Sequence, residues 1–70
     1  MRECVKNNVY DLRTEKDITQ EGLANKMNVS RQTIIAIEKG NYTPSVLLAM
    51  KLACFFSMPV EKIFKIHYEK

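Results

Sequence analysis

The sequence predicts an all-α domain of five short helices, with its two ends forming a short antiparallel strand pair. Three observations carry that expectation. Capping residues, Thr19 and Ser30 above all, stand just before apolar residues spaced three and four apart. Only two Gly and two Pro occur, and both Pro residues punctuate the second half of the chain. The tail alternates polar and apolar, with Phe64, Ile66 and Tyr68 on one side, which is a strand pattern.

The first helix is expected to start near Asn7 or Asn8, either of which can cap it. Val9, Leu12 and Tyr10 supply its apolar contacts. Arg13 and Lys16 sit toward its C-terminal end, which favours positive charge. Asp17 is placed in the following turn, and Ile18 precedes the next cap.

The second helix starts at the Thr19 cap, with Gln20 and Glu21 in its first turn. Leu23, Ala24 and Met27 fall on one inward face. Gly22 is odd there, since glycine inside a helix costs about 1 kcal/mol relative to alanine. Asn28 ends the helix, as the residue after Gly that best tolerates the left-handed turn conformation. Val29 then drops into the core, and Ser30 caps the third helix. Ile34 and Ile37 face inward; Arg31, Gln32, Ile35 and Ala36 face out or sideways. Gly40, within Lys39-Gly40-Asn41, closes the helix.

Thr43-Pro44-Ser45 opens the fourth helix, with Pro at or near its first turn. Val46 to Phe56 is apolar except for Lys51. A helix apolar all round is buried on most sides. One small domain cannot bury all of it, so part is expected to face a partner subunit. Met58-Pro59 starts a fifth helix over Val60 to Phe64. A lone terminal strand cannot stand. It is expected to pair either with Arg2 to Lys6 or with a second subunit.

Residues 1–70 fit one domain with a thin core, because a chain this short buries only about 60% of its unfolded surface. Disulfides, metals or oligomerisation often supplement such cores. Cys4 and Cys54 are far apart, and the single His67 is too few to complete a zinc set with them. Cys54 lies in an apolar run and is expected to be a small buried hydrophobe. A reducing cytosol suits both thiols, and a disulfide between them is the lesser reading. No apolar run is long enough to span a membrane, and the N-terminus lacks the apolar core of a signal peptide. The expected location is therefore cytoplasmic, with no membrane partner. The net charge of +3 and pI near 9.0 permit nucleic-acid binding without proving it.

Thr19 to Glu38, TQEGLANKMNVSRQTIIAIE, has the layout of a helix-turn-helix DNA reader. Gln20, Ala24, Asn28-Val29-Ser30, Arg31-Gln32-Thr33-Ile34, Ile37-Glu38 and the segment Gly40 to Ser45 together resemble the Cro-type, or xenobiotic-response-element, helix-turn-helix regulators. The likeness runs from about Val9 to Phe64 and points to the small single-domain bacterial or phage members. It departs at Asn28, where Gly is usual, and at Gly22, where a longer helix former is usual.

The resemblance implies a five-helix, lambda-repressor-like domain whose helix-turn-helix covers residues 20–39. Helix two crosses the DNA backbone and helix three enters the major groove. Gln20 then takes a phosphate and braces a side chain of the recognition helix. Arg31 and Gln32 are placed to read base edges; Arg suits guanine and Gln suits adenine. Thr33 is a phosphate contact. Ile35 either meets a thymine methyl or only pads the helix, and Ala36 is small enough to let the helix sit deep. Lys39, Asn41, Tyr42 and Ser45 grip the backbone, or form a merely solvated loop. Ser30 is a cap first, with a phosphate contact added. Arg13 and Glu38 are expected to pair and tie helix one to helix three. His67 is read as an exposed histidine.

One such module buries about 600–1,000 Å² on DNA, usually too little for tight specific binding. A homodimer on an inverted repeat is therefore expected, joined through the segment 55–69: Phe55, Phe56, Val60, Ile63, Phe64, Ile66 and Tyr68. These residues otherwise only complete the monomer core. The function expected is that of a sequence-specific regulator, a repressor of transcription on double-stranded DNA, with no cofactor. The alternative is the antitoxin of a toxin–antitoxin pair, which would add a protein partner. An enzyme is not expected, because there is no paired-carboxylate site, Ser-His-Asp set, metal cluster or Gly-rich phosphate loop in the sequence.

Overall fold

The computed structural model describes residues 2–69, with the side chains of Arg2 and Glu69 left aside. The order is β1 (Arg2–Asn7), α1 (Val9–Glu15), α2 (Gln20–Met27), α3 (Arg31–Glu38), α4 (Val46–Phe56), α5 (Val60–Ile63) and β2 (Phe64–Glu69). Five helices and a terminal two-stranded antiparallel sheet are the expected architecture. The sheet answers the pairing question: β1 pairs with β2 within the chain, with Val5 opposite Ile66 and Lys6 opposite Lys65. Phe64 opens β2 instead of ending α5.

Each helix of the central part starts where a hydroxyl can satisfy a free backbone N–H. Thr19 Oγ1 accepts from the Gly22 N–H at 2.9 Å, Ser30 Oγ from Thr33 at 3.2 Å and Ser45 Oγ from Leu48 at 3.1 Å. Ser45 is thus the cap of α4, and Pro44 precedes the helix instead of lying in its first turn. At α1 the residue in the cap position is Asn8, but its side chain makes no capping bond. Asn7 Oδ1 accepts from the Val9 N–H at 3.1 Å instead, while Asn7 Nδ2 donates to the Ile37 carbonyl at 2.9 Å, tying the start of α1 to α3.

The turns follow the same logic. Asp17 (φ 57°), Asn28 (φ 59°) and Ser57 (φ 56°) take left-handed backbone, and Gly40 closes α3 at φ 81°. Gly22 has a spatial reason. A Cβ there would stand 3.1 Å from Thr19 Oγ1 and 3.2 Å from Ile18 Cγ2, crowding the cap of α2.

The core is drawn from every helix: Val9, Leu23, Ala24, Met27, Ile34, Ile37, Leu48, Leu52, Phe56 and Ile63 are buried. On α4 the buried stripe is Leu48, Leu52 and Phe56, spaced by four. This packing corrects two expectations. Cys54 lies on the opposite side of α4 from Leu52 and is exposed, not buried. Phe56 and Ile63 belong to the monomer core, at 6% and 1% exposure, and are not free to form a subunit interface. The outer side of α4 stays open to solvent at Val46, Leu47 and Met50.

Candidate nucleic-acid interface

The geometry of the site begins with the turn between α2 and α3. Asn28 reverses the chain, and the Val29 N–H donates back to the Ala24 carbonyl at 3.0 Å. Val29 packs against the core and Ser30 starts the new helix. The two helices are therefore fixed in relative position by Leu23, Ala24 and Met27 on one side and Ile34 and Ile37 on the other.

A helix turns about 100° per residue. With Ile34 and Ile37 inward and fully buried, the middle of the opposite face falls at Gln32. Arg31 and Gln32 are exposed, while Ile35 and Ala36 are half-buried at its flanks. Thr33 is half-buried, and its hydroxyl lies 3.0 Å from Ser30 Oγ. The outward face of α3 thus offers one guanidinium and one carboxamide with an apolar flank.

Behind that face sits a buried charged cluster. Arg13 Nε donates to Glu38 Oε2 at 2.7 Å and Arg13 Nη2 to Oε1 at 3.2 Å, a forked pair. Gln20 Nε2 donates to the same Oε1 at 3.1 Å, and Arg13 Nη1 donates to the Ile18 carbonyl at 2.8 Å. The side chains of Arg13 and Glu38 are only 10% and 6% exposed. The hydrogen bond to Glu38 holds the Arg13 guanidinium above its ordinary pKa, against the opposing effect of burial. Arg13 also lies over the Tyr10 ring at 5.2 Å. One cluster therefore joins α1, the α1–α2 turn, the first turn of α2 and the end of α3.

Gln20 is half-buried beside this cluster at the N-terminus of α2. Lys39, Asn41, Tyr42 and Ser45 are all exposed on the α3–α4 connection. The Gly40 N–H donates to Ile37 and the Asn41 N–H to Ala36, both at 2.9 Å, so this loop leaves α3 in a fixed direction. Ser30 and Ser45 are exposed, with their oxygens engaged as caps. The expected residues thus run from the start of α2 through α3 to the start of α4, and of them Thr33, Tyr42 and Ser45 line one cleft.

Sequence spacing gives no sign of what Asn7 does here, although its bond to Ile37 helps to seat α3. A bond spanning 30 residues leaves no local pattern in the sequence. Lys51 is a similar case: its Nζ donates to the Met27 carbonyl at 3.3 Å and satisfies the end of α2. Among the described residues no group of three or more His, Cys, Asp or Glu could hold a metal ion. No helix among them is long and apolar enough to cross a membrane.

A helix-turn-helix family model matches residues 9–63 of the chain. The chain belongs to the xenobiotic-response-element helix-turn-helix family of transcriptional regulators. A helix-turn-helix transcriptional regulator of Methanocaldococcus jannaschii is 55% identical over 60 residues, covering 86% of this chain and 91% of that protein. The cryptic phage CTXphi transcriptional repressor RstR of Vibrio cholerae is 38% identical over 55 residues, 79% of this chain and 50% of that protein. Among solved structures, the restriction-modification controller protein C.AhdI of Aeromonas hydrophila superposes with a TM-score of 0.70 at 28% identity, covering 77% of this chain and 82% of that one. The match ends at Ile63, so the family pattern spans α1 to α5 of this regulator and leaves both strands outside it.

Proposed function

We propose that this regulator is a repressor that binds an inverted-repeat operator as a homodimer, with α3 in the major groove. The observation that carries the reading is the outward face of α3, held from behind by the buried Arg13–Glu38–Gln20 cluster. Arg31 reads guanine through O6 and N7, and Gln32 reads adenine through N6 and N7. Ile35 supplies an apolar contact to a thymine methyl, and Ala36 admits the helix deeply. Gln20, Ser30, Thr33, Lys39, Asn41, Tyr42 and Ser45 hold phosphates on either side, which fixes register without reading sequence. The repressor sign rests on the name of the Vibrio relative. That relative and the others carry regulator and repressor names, so the antitoxin reading is set aside. The protein acts as a binding module in the cytoplasm, without catalysis or cofactor.

The dimer is proposed to form on the apolar face of the sheet and the adjoining start of α4. Val5, Pro44, Val46, Ala49, Val60 and Phe64 line one shallow groove there. Val46, Ile66 and Tyr68 are 76%, 62% and 54% exposed. A titration of the protein into a labelled duplex, read by sedimentation, tests the stoichiometry. Two chains per specific site support the reading; one chain per site at saturation refutes the dimer.

A further inference from the structure

The sheet has a second face, and it is basic. Side chains alternate across a strand, so the observed register puts Cys4 and Lys6 on one face with Lys65 and His67. Lys6 and Lys65 stand directly opposite each other. Like charges in that position repel and destabilise the strand pair. Lys62, at the end of α5, lines the same cleft as Lys6 and Lys65. A second cleft, sharing Lys6 and Asn7 with the first, is lined by Glu38, Lys39 and Gly40 at the end of α3. The four lysines are all exposed and form no ion pair among the described residues. Arg13 already neutralises Glu38. These four charges exceed the net charge of the whole chain, +3, so the rest of the molecule is net negative by one charge.

We propose that this basic sheet face is a second DNA-contacting surface, which holds phosphates beyond those bound by the helix-turn-helix. The inference rests on the DNA-binding reading above and extends its footprint. Lys6 links the sheet to Lys39, so the patch is continuous with the loop that follows α3. A duplex held by α3 and that loop runs its backbone past the patch, where Lys6, Lys65 and Lys62 meet phosphates. The opposed lysines then make sense energetically. Phosphate relieves their repulsion in the complex, whereas the protein alone bears it. The surface carries affinity and no sequence information.

The test uses the full chain and a duplex selected by the wild-type protein, with binding measured across a salt series. For every phosphate the protein no longer neutralises, the slope of log K against log salt becomes shallower by about 0.9. The double variant K6A/K65A is expected to lower the slope by about 1.8, weaken binding to all duplexes alike and leave the selected sequence unchanged. A second variant, Lys65→Glu, converts the repulsion into a cross-strand pair. It is expected to melt higher than wild type and to bind DNA more weakly, a combination that damage to the fold cannot produce. Lys26→Ala, on α2, removes one charge elsewhere, half the change in K6A/K65A, and its effect counted twice serves as the reference for general electrostatics. A slope for K6A/K65A no shallower than expected from the Lys26→Ala reference would overturn the proposal, as would undiminished binding by Lys65→Glu. Either result leaves the reading of α3 intact. That reading fails separately, if Arg31→Ala keeps the full base preference.

Discussion

Removing the Glu38 carboxylate should cost this domain a large part of its stability. Glu38→Ala leaves the Arg13 guanidinium buried at 10% exposure without its counter-ion, and leaves Gln20 Nε2 without its acceptor. Breaking a buried pair by deleting one partner costs about 3–5 kcal/mol. A domain of this length has a total stability of roughly 4–10 kcal/mol, at about 0.05–0.15 kcal/mol per residue. The variant is therefore expected to lose between about a third and all of its stability. Its melting temperature should fall by roughly 12–40 °C, at about 4–8 °C per kcal/mol for domains of this size. Arg13→Leu combined with Glu38→Leu should recover much of that stability, because apolar replacement of a buried pair is often neutral. The arginine does not limit the pair with pH. Its folded pKa is raised, so its contribution is complete below the ordinary arginine value and is lost only above it. Urea unfolding followed by circular dichroism, on wild type, Arg13→Leu, Glu38→Leu and their double, closes the cycle, with Glu38→Ala measured beside them. A destabilisation under about 1 kcal/mol for Glu38→Ala would instead place the pair among weak, solvent-screened bridges.

Three further outcomes are expected. Arg31→Ala and Gln32→Ala should each cost about 1–3 kcal/mol on the selected operator and relax base preference at one position per half-site, read by competition binding against single-base variants. Ile66→Asp, at a residue 62% exposed in the monomer, should split the dimer in sedimentation while leaving helical content and melting cooperativity in place; a dimer that survives would move the interface off the sheet. Ser57→Gly should stabilise the fold by about 0.5–1 kcal/mol in thermal melts, since the left-handed backbone at φ 56° strains a residue with a Cβ more than it strains glycine.

The parts of the fold written in local chemistry are legible in the sequence. Thr19 and Ser30 start their helices because a hydroxyl can reach an N–H three residues on, and Asn28 can turn left-handed. The inward stripes of α2 and α3 follow from spacing alone. The Arg13–Glu38 pair is legible only through family likeness, because nothing local joins residues 25 apart. The apolar run of α4 misleads in detail. Its composition announces burial, but a helix on a small core can bury only one stripe, which Leu48, Leu52 and Phe56 occupy. Cys54 reads as an inside residue for that reason and lies outside. Phe56 and Ile63 read as subunit-interface residues and fill the monomer core, because Phe56 ends the buried stripe of α4 and Ile63 is the buried residue of the four-residue α5. The strand partner stays open in the sequence because alternation shows a strand and not what it pairs with. The basic face of the sheet is visible only once the register sets Lys6 against Lys65.

Selection from random duplex DNA, with purified protein at physiological salt, shows whether α3 reads bases from its outward face. The expected result is an enriched inverted repeat with fixed half-site spacing, and an Arg31→Ala protein that loses preference at one position in each half. Enrichment of no sequence, with binding that depends only on salt, would contradict it.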